Sequence, residues 1–254
     1  MDFDLSCDLG EGEPSSECEE IMSCVTSANI ACGGHAGDVT TMRHAIDLAL
    51  RHAVRIGAHP GTVDRDGFGR SAAALTPAEF AALVFGQIRA LEAVAHSRDA
   101  RLTHVKLHGA LYHLTEQNPQ LASIFVESIQ RWWPSLVIVA QAQGRVLALA
   151  KERGVEAWGE AFLDRSYLND GSLAPRTDPG ALLISMAAIE ARIAGLLRNG
   201  EIRSREGRAL YLTPRTLCFH SDSSEAPRIA RLASTMLFSR SLTTPDPIPT
   251  LNAP

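Results

Sequence analysis

Ser27-Ala-Asn-Ile-Ala-Cys-Gly-Gly-His-Ala-Gly-Asp38 is the stretch that decides the fold class. Its apolar run, Asn29 to Cys32, breaks at Gly33-Gly34, and His35 and Gly37 follow just ahead of Asp38, a residue suited to cap a helix. A strand that stops at paired glycines and leaves a histidine before a helix is a βα junction. Such junctions carry chemistry because a rigid strand aims the side chains of the loop behind it. Two further stretches repeat the pattern, Ile56-Gly-Ala-His59-Pro-Gly61 and His104-Val-Lys106-Leu-His108-Gly109.

Working outward, the alternation of strand and helix runs through the chain without a break in composition. Strands are expected at 3–7, 25–32, 54–58, 103–107, 136–140, 155–158 and 216–219. Asp38 caps a helix with Met42, Ala45, Ile46, Ala49 and Leu50 at helical spacing. Thr76-Pro-Ala-Glu79 combines a threonine cap, a first-turn proline and a capping-box glutamate. Asn118-Pro119 opens another helix, and helices are expected at 144–153, 181–197 and 225–237, after a polar excursion from Asn169 to Pro179. This pattern predicts one α/β domain over residues 1–241, a closed or nearly closed parallel barrel, followed by a Pro-rich, disordered tail over 242–254. A barrel is favoured over a doubly wound sheet because ionisable residues follow almost every strand, whereas an open sheet concentrates them at one crevice.

The 254 residues suit one barrel of about 250 residues. No apolar run reaches the roughly 18 residues of a membrane span, and the acidic start Met-Asp-Phe-Asp lacks the basic and apolar segments of a signal peptide, so a cytoplasmic protein is expected. A net charge of −5 and the lack of a basic–aromatic stripe argue against nucleic-acid binding. The five cysteines show no ligand-pair spacing, and Cys7 and Cys32 read as small buried hydrophobes. Only two lysines occur, Lys106 and Lys151, so a lysine kept between Val105 and Leu107 in an apolar strand stands out.

The residues at the strand ends are Asp8, His35, His59, Lys106 with His108, Glu160 with Asp164 and Arg165, and His220 with Asp222. One polar residue after a strand is ordinarily a cap; a set of acids, histidines and a lysine converging on one mouth suits acid–base transfer beside stabilisation of an oxyanion. Lys106 is the sharpest candidate, as a cationic donor or a lowered-pKa base, with a structural ion pair to Asp8 or Glu160 as its other role. Aspartate with several histidines also suits a divalent metal, but no local ligand spacing is present and a cation at Lys106 would oppose a metal at His108. There is no G-x-x-x-x-G-K-[ST] phosphate loop and no G-x-S-x-G elbow.

In these residues the chain resembles the LamB/YcsF family of 5-oxoprolinase A subunits. The matching pieces are Cys7-Asp-Leu-Gly-Glu11, Ser27 to Gly33, His35-Ala-Gly-Asp38, Gly57-Ala-His-Pro60, Gly67-Phe-Gly-Arg70, His108-Gly-Ala-Leu-Tyr112, Glu160-Ala-Phe162 with Asp164-Arg165, and Cys218 with His220 and Asp222. They run in family order along nearly the whole chain. The resemblance implies a seven-stranded (β/α) barrel of the glycoside hydrolase/deacetylase type and ATP-dependent opening of 5-oxoproline to L-glutamate. It also implies partner B and C subunits that activate the lactam with ATP. Departures from the family pattern are Ser6 for asparagine, Gly34 for phenylalanine, Leu107 for proline, His113 for asparagine, Leu163 for alanine and Ser221 for glycine; Ser6 and Gly34 are expected to reshape the pocket wall.

Catalysis is accordingly expected from Asp8, His35, His59, Lys106, His108 and Glu160. Substrate contacts are expected from Asn29, Asp38, Arg70, Tyr112, Asp164, Arg165, His220 and Asp222. Within that set Asp8 or Glu160 is the base, His35, His59 and Lys106 stabilise charge, and Arg70 or Arg165 holds a carboxylate or phosphate. Two rivals remain at this point. One is a stand-alone metal-dependent deacetylase or amidohydrolase that uses Asp8 and histidines as ligands, and the other is a non-catalytic scaffold subunit.

Overall fold

The computed structural model describes residues 3–71 and 74–238; the Pro-rich tail read from the sequence lies outside them. Seven parallel strands close into a barrel in the order β1 (Asp4–Leu9), β2 (Ser27–Ala31), β3 (Arg55–His59), β4 (Leu102–Lys106), β5 (Val137–Gln141), β6 (Ala157–Phe162) and β9 (Thr216–His220), with β9 pairing back onto β1. The helices are α1 (Ser15–Met22), α2 (Val39–Arg51), α3 (Pro77–His96), α4 (Gly109–Gln117), α5 (Pro119–Trp132), α6 (Arg145–Glu152), α7 (Met186–Asn199) and α8 (Ala226–Phe238). A separate hairpin, β7 (Glu201–Arg203) with β8 (Ala209–Tyr211), follows α7. Among the described residues no helix is long and apolar enough to cross a membrane.

The expected caps form as read. Asp38 accepts from the backbone of Thr40 and Thr41 while Thr41 returns a bond to its N–H, and Thr76 and Glu79 form the reciprocal capping box of α3. Two features were not anticipated: α4, a short helix opening at His108-Gly109 with no side-chain cap, and the β7–β8 hairpin. Helix α7 starts at Met186, later than the expected 181, because isolated bridges of Arg165 with Leu182 and Tyr167 with Leu173 tie the preceding residues into a series of turns.

Most strands run further than the sequence suggested, β1 to Leu9, β6 to Phe162 and β9 to His220, so Asp8, Glu160 and His220 lie in strands rather than behind them. The cause is an inverted pattern: Leu5, Cys7 and Leu9 join the apolar core, while the alternate residues make polar contacts, Asp4 and Ser6 with Thr216 on neighbouring β9 and Asp8 with Lys106 on β4 across the barrel. Gly57 on β3 admits this crowding. A Cβ there would lie 2.1 Å from the His104 imidazole, and the β3–β4 register shifts at the same point.

At the end of the barrel away from the strand C-termini, one carboxylate gathers four strands. Asp4 accepts from Thr26 at 2.6 Å, Ser27 at 2.7 Å, Thr216 at 2.6 Å and Arg55 at 2.5 Å. Burial works to raise its pKa, but the three hydroxyls and Arg55 outweigh that and hold it below the usual carboxylate range. A depressed carboxyl contributes stability above its unfolded pKa and loses it as pH falls through the folded one. Asp4→Asn is therefore expected to cost about 2 kcal/mol near neutral pH in urea unfolding. That deficit should shrink as pH drops below about 4, where the wild-type carboxyl takes up its proton.

Candidate active site

The strand C-termini carry a second, larger polar cluster. Lys106, 2% exposed, reaches across the barrel from β4 to β1 and places Nζ 2.8 Å from Asp8 Oδ1 and 2.9 Å from Glu160 Oε1. Nζ also donates to Cys218 Sγ at 3.0 Å. Asn29 Nδ2 donates to Asp8 at 2.9 Å, and its own amide oxygen meets His104 Nε2 at 2.8 Å. Lys106 therefore combines the ion pair with the cationic-donor role at the cavity, and its raised pKa is the opposite of what a lowered-pKa base needs.

These charges settle unequally. Burial opposes ionisation of Asp8, yet His59, Lys106 and His220 together hold it well below the usual range. Burial also opposes the Lys106 ammonium, and Asp8, Cys218 and Glu160 more than restore it. Burial raises Glu160; Lys106 counters this and Asp8 reinforces it, leaving a net rise. Asp8 is thus the stronger acid of the pair and Glu160 the weaker. The Tyr112 phenol beside Glu160 is pushed up by burial and by that carboxyl.

His220 closes the cluster from β9. Its Nδ1 lies 2.9 Å from Asp164 Oδ2, its backbone N–H donates to the same carboxylate, and its ring stacks on Phe162 with centroids 5.4 Å apart. Nε2 is left on the Asp8 side, 3.8 Å from Oδ2. An imidazole oriented through one nitrogen by a buried carboxylate, with the other toward a cavity, can take or give a proton there.

A second group adjoins Asp8. His59 Nε2 lies 3.2 Å from Asp8 Oδ2 and 3.7 Å from Glu11 Oε1; His35 Nε2 and His108 Nδ1 lie 2.9 and 3.2 Å from the same Glu11 oxygen. His35 and His108 stack in parallel with centroids 3.6 Å apart. Glu13 holds the turn that presents Glu11, accepting from the N–H groups of Gly10 and Glu11.

Over both groups lies a cavity of about 300 Å³ lined by Asp8, His59, Lys106, His108, Tyr112, His220 and the arginines Arg70, Arg165 and Arg176. That volume suits a small molecule. Arg70 and Arg176 share one carboxylate, Asp222, at 2.6 and 2.5 Å. Arg165 donates to the Ala174 carbonyl while its Nε has no partner, and burial together with Arg176 and Arg70 lowers its guanidinium to about 10. Three guanidiniums with one carboxylate between two of them leave the rim attractive to an anion.

Of the expected site residues, Asp38, Asn29, Asp164, Asp222, His35 and Glu160 do not line the cavity. Asp38 is an exposed helix cap, Asn29, Glu160 and Asp164 support lining residues, Asp222 ties two arginines, and His35 belongs to the Glu11 group. Ser6 and Gly34 do not line it either, contrary to the expectation that they shape its wall; Leu107 and His113 are the departures that do. Gly34 has its own reason. A Cβ there would sit 2.5 Å from the Gly61 carbonyl and 2.6 Å from Gln87 Nε2, and Gln87 clamps the Gly61 backbone through both amide atoms. Glu11, Arg176 and Cys218 were assigned no role by sequence. Glu11 stood inside a quoted motif, whereas Arg176 comes from the irregular excursion, where no periodicity marks a residue.

The family model for LamB/YcsF matches residues 3–249. The 5-oxoprolinase A subunit of Bordetella pertussis is 40% identical over 90% of this chain and 92% of its own length, and that of Nitrobacter winogradskyi is 42% identical over 91% and 92%. The crystal structure of the lactam utilization protein from Thermus thermophilus superposes with a TM-score of 0.86 at 34% identity, covering 95% of this chain and 98% of its own.

The unequal carboxyls can be tested. A carboxyl whose folded pKa is raised gives most stability below its unfolded value, about 4.3, and loses it as pH climbs through the folded value. Glu160→Gln keeps the shape without the charge, so its stability relative to wild type should improve between about pH 4 and about pH 8. Urea unfolding at both ends measures this. A difference that stays flat or worsens would mean that Glu160 is ionised as a partner of Lys106.

Proposed function

The chain belongs to the LamB/YcsF family, and from that premise we propose that it is the ring-opening A subunit of an ATP-dependent 5-oxoprolinase, working with B and C subunits that activate the lactam. The supporting observation is one cavity with an ionised carboxylate and a buried ammonium at its floor and three arginines at its rim. A planar lactam resists water because amide resonance is lost in the tetrahedral intermediate. Phosphorylation of the carbonyl oxygen, with ATP as donor, removes that obstacle and adds negative charge that the rim can hold.

The roles follow from position. Arg70, Arg165 and Arg176 take the substrate carboxylate and the phosphoryl group, for which planar forks are suited. Water adds to the activated carbon as Asp8 accepts its proton and the carbon–nitrogen π pair moves onto the ring nitrogen, while Lys106 faces the added and phosphorylated oxygens. His220, oriented by Asp164, then delivers a proton to the ring nitrogen and the carbon–nitrogen bond breaks, leaving an acyl phosphate that a second water hydrolyses to glutamate and phosphate. Glu160 keeps Lys106 in place from behind, and His59 keeps Asp8 charged.

Glutamate release from 5-oxoproline with ATP, measured for the chain alone and with B and C subunits from a related system, is expected only in the mixture. No release from that mixture, while the same B and C subunits are active beside a known A subunit, would overturn the substrate. In the active mixture Asp8→Asn and Lys106→Ala should each lower kcat by about 10²- to 10⁴-fold. Full activity in both folded variants would refute the roles of base and charge-stabilising cation. Arg176→Ala should act mainly through KM, because it removes binding at the rim rather than a group at the reacting atoms.

A further inference from the structure

The group formed by Glu11, His35, His59 and His108 has no part in the scheme above except through His59, and its proton positions are over-determined. His59 Nδ1 meets the Lys106 carbonyl at 2.8 Å, and His108 Nε2 meets the Phe68 carbonyl at 2.8 Å. A carbonyl only accepts, so each of these ring nitrogens carries the hydrogen. In the neutral rings this leaves His59 Nε2 and His108 Nδ1 as lone pairs, facing one another at 3.0 Å. The Glu11 carboxylate oxygen and Asp8 Oδ2 point into the same space. Two ring lone pairs thus face each other beside two carboxylate oxygens with no proton between them, and His35 Nε2 is the one ring nitrogen of the group free to donate to Glu11.

Charge leads to the same place. The Glu11 side chain is 2% exposed, and its ionic neighbours among the described residues are histidines, which carry charge only when protonated. The one permanent cation nearby, Lys106, is already paired with Asp8. A buried carboxylate without a cation is costly, so this space calls for positive charge, supplied by a proton on an imidazole or by a bound ion.

We infer that these four side chains form a binding site for one divalent transition-metal ion, with Glu11 Oε1, His35 Nε2, His59 Nε2 and His108 Nδ1 as ligands. The ligand atoms all lie within 4.8 Å of one another, and the Glu11 contacts of 2.9, 3.2 and 3.7 Å bracket the edge of about 3.3 Å expected for tetrahedral zinc with nitrogen and oxygen ligands. Backbone carbonyls fix the tautomers of two ligands, the outer-shell arrangement that metal-bound histidines use. His35 is the least firmly held, since its Nδ1 has no partner. The ligands come from four separate strand ends, which is why no local spacing announced them. His59 and His108 also line the cavity, so an ion here would add Lewis-acidic charge beside Asp8. That catalytic use rests on the ring-opening reading; the site itself does not.

The rival occupant is a proton on His59, and metal uptake separates the two without any substrate. Wild-type protein stripped with chelator and folded by circular dichroism should bind one equivalent of Zn²⁺ in calorimetry, and Co²⁺ should give visible d–d absorption. Glu11→Gln and His108→Gln should each weaken uptake more than tenfold, while His44→Gln, on the exposed face of α2, should bind as wild type. Failure of folded wild-type protein to take up either ion at one equivalent would overturn the site, as would undiminished uptake in both ligand variants. Either result would leave the glutamate-release assay, and the reading it tests, untouched.

Discussion

A lysine ammonium in the middle of a protein has to be compensated, and in this barrel everything at the strand C-termini is arranged around that requirement. Removing such an ion from water costs several kcal/mol unless its partners are close and well placed. Lys106 finds Asp8 and Glu160 on strands that are not its neighbours in the sheet, so the compensation runs through the barrel interior. Closing the sheet is therefore what makes the lysine tolerable. The lysine in turn holds Asp8 in its charged form beside the cavity.

The remaining charges are layered on that contact. Below it, Asn29 and His104 pass hydrogen bonds between β1, β2 and β4, and Asp4 ties β1, β2, β3 and β9 at the far end. Beside it stands a group of imidazoles around Glu11, and above it the arginine rim shares Asp222. An apolar interior would pack as well, but it could present no fixed charge to a ligand. The inverted strand pattern, polar toward the axis and apolar toward the helices, is the structural expression of that demand.

Much of the architecture was legible in the chain. Asp38 and the Thr76–Glu79 box sit where expected because capping depends on residues a few positions apart. The ends of β1, β6 and β9 were placed too early because Asp8, Glu160 and His220 look like loop residues to any reading that expects apolar strands. The uncapped α4 and the β7–β8 hairpin carried little local signal. Gly34 looked like a change in the pocket wall and proved to be a fit against Gln87 and Gly61, a contact between distant segments.

By itself the sequence determined the kind of protein this is: alternating strands and helices, a histidine, acid or lysine at most strand ends, and one lysine held in an apolar run. These follow from short-range patterns, which the chain carries whatever it folds against. Only the tertiary structure decided which of the two carboxylates is the stronger acid, that Arg176 joins the rim, and that Glu11 stands among three histidines. Each of those depends on burial and on distances across the closed barrel. Neither quantity is defined until strands far apart in sequence share one interior.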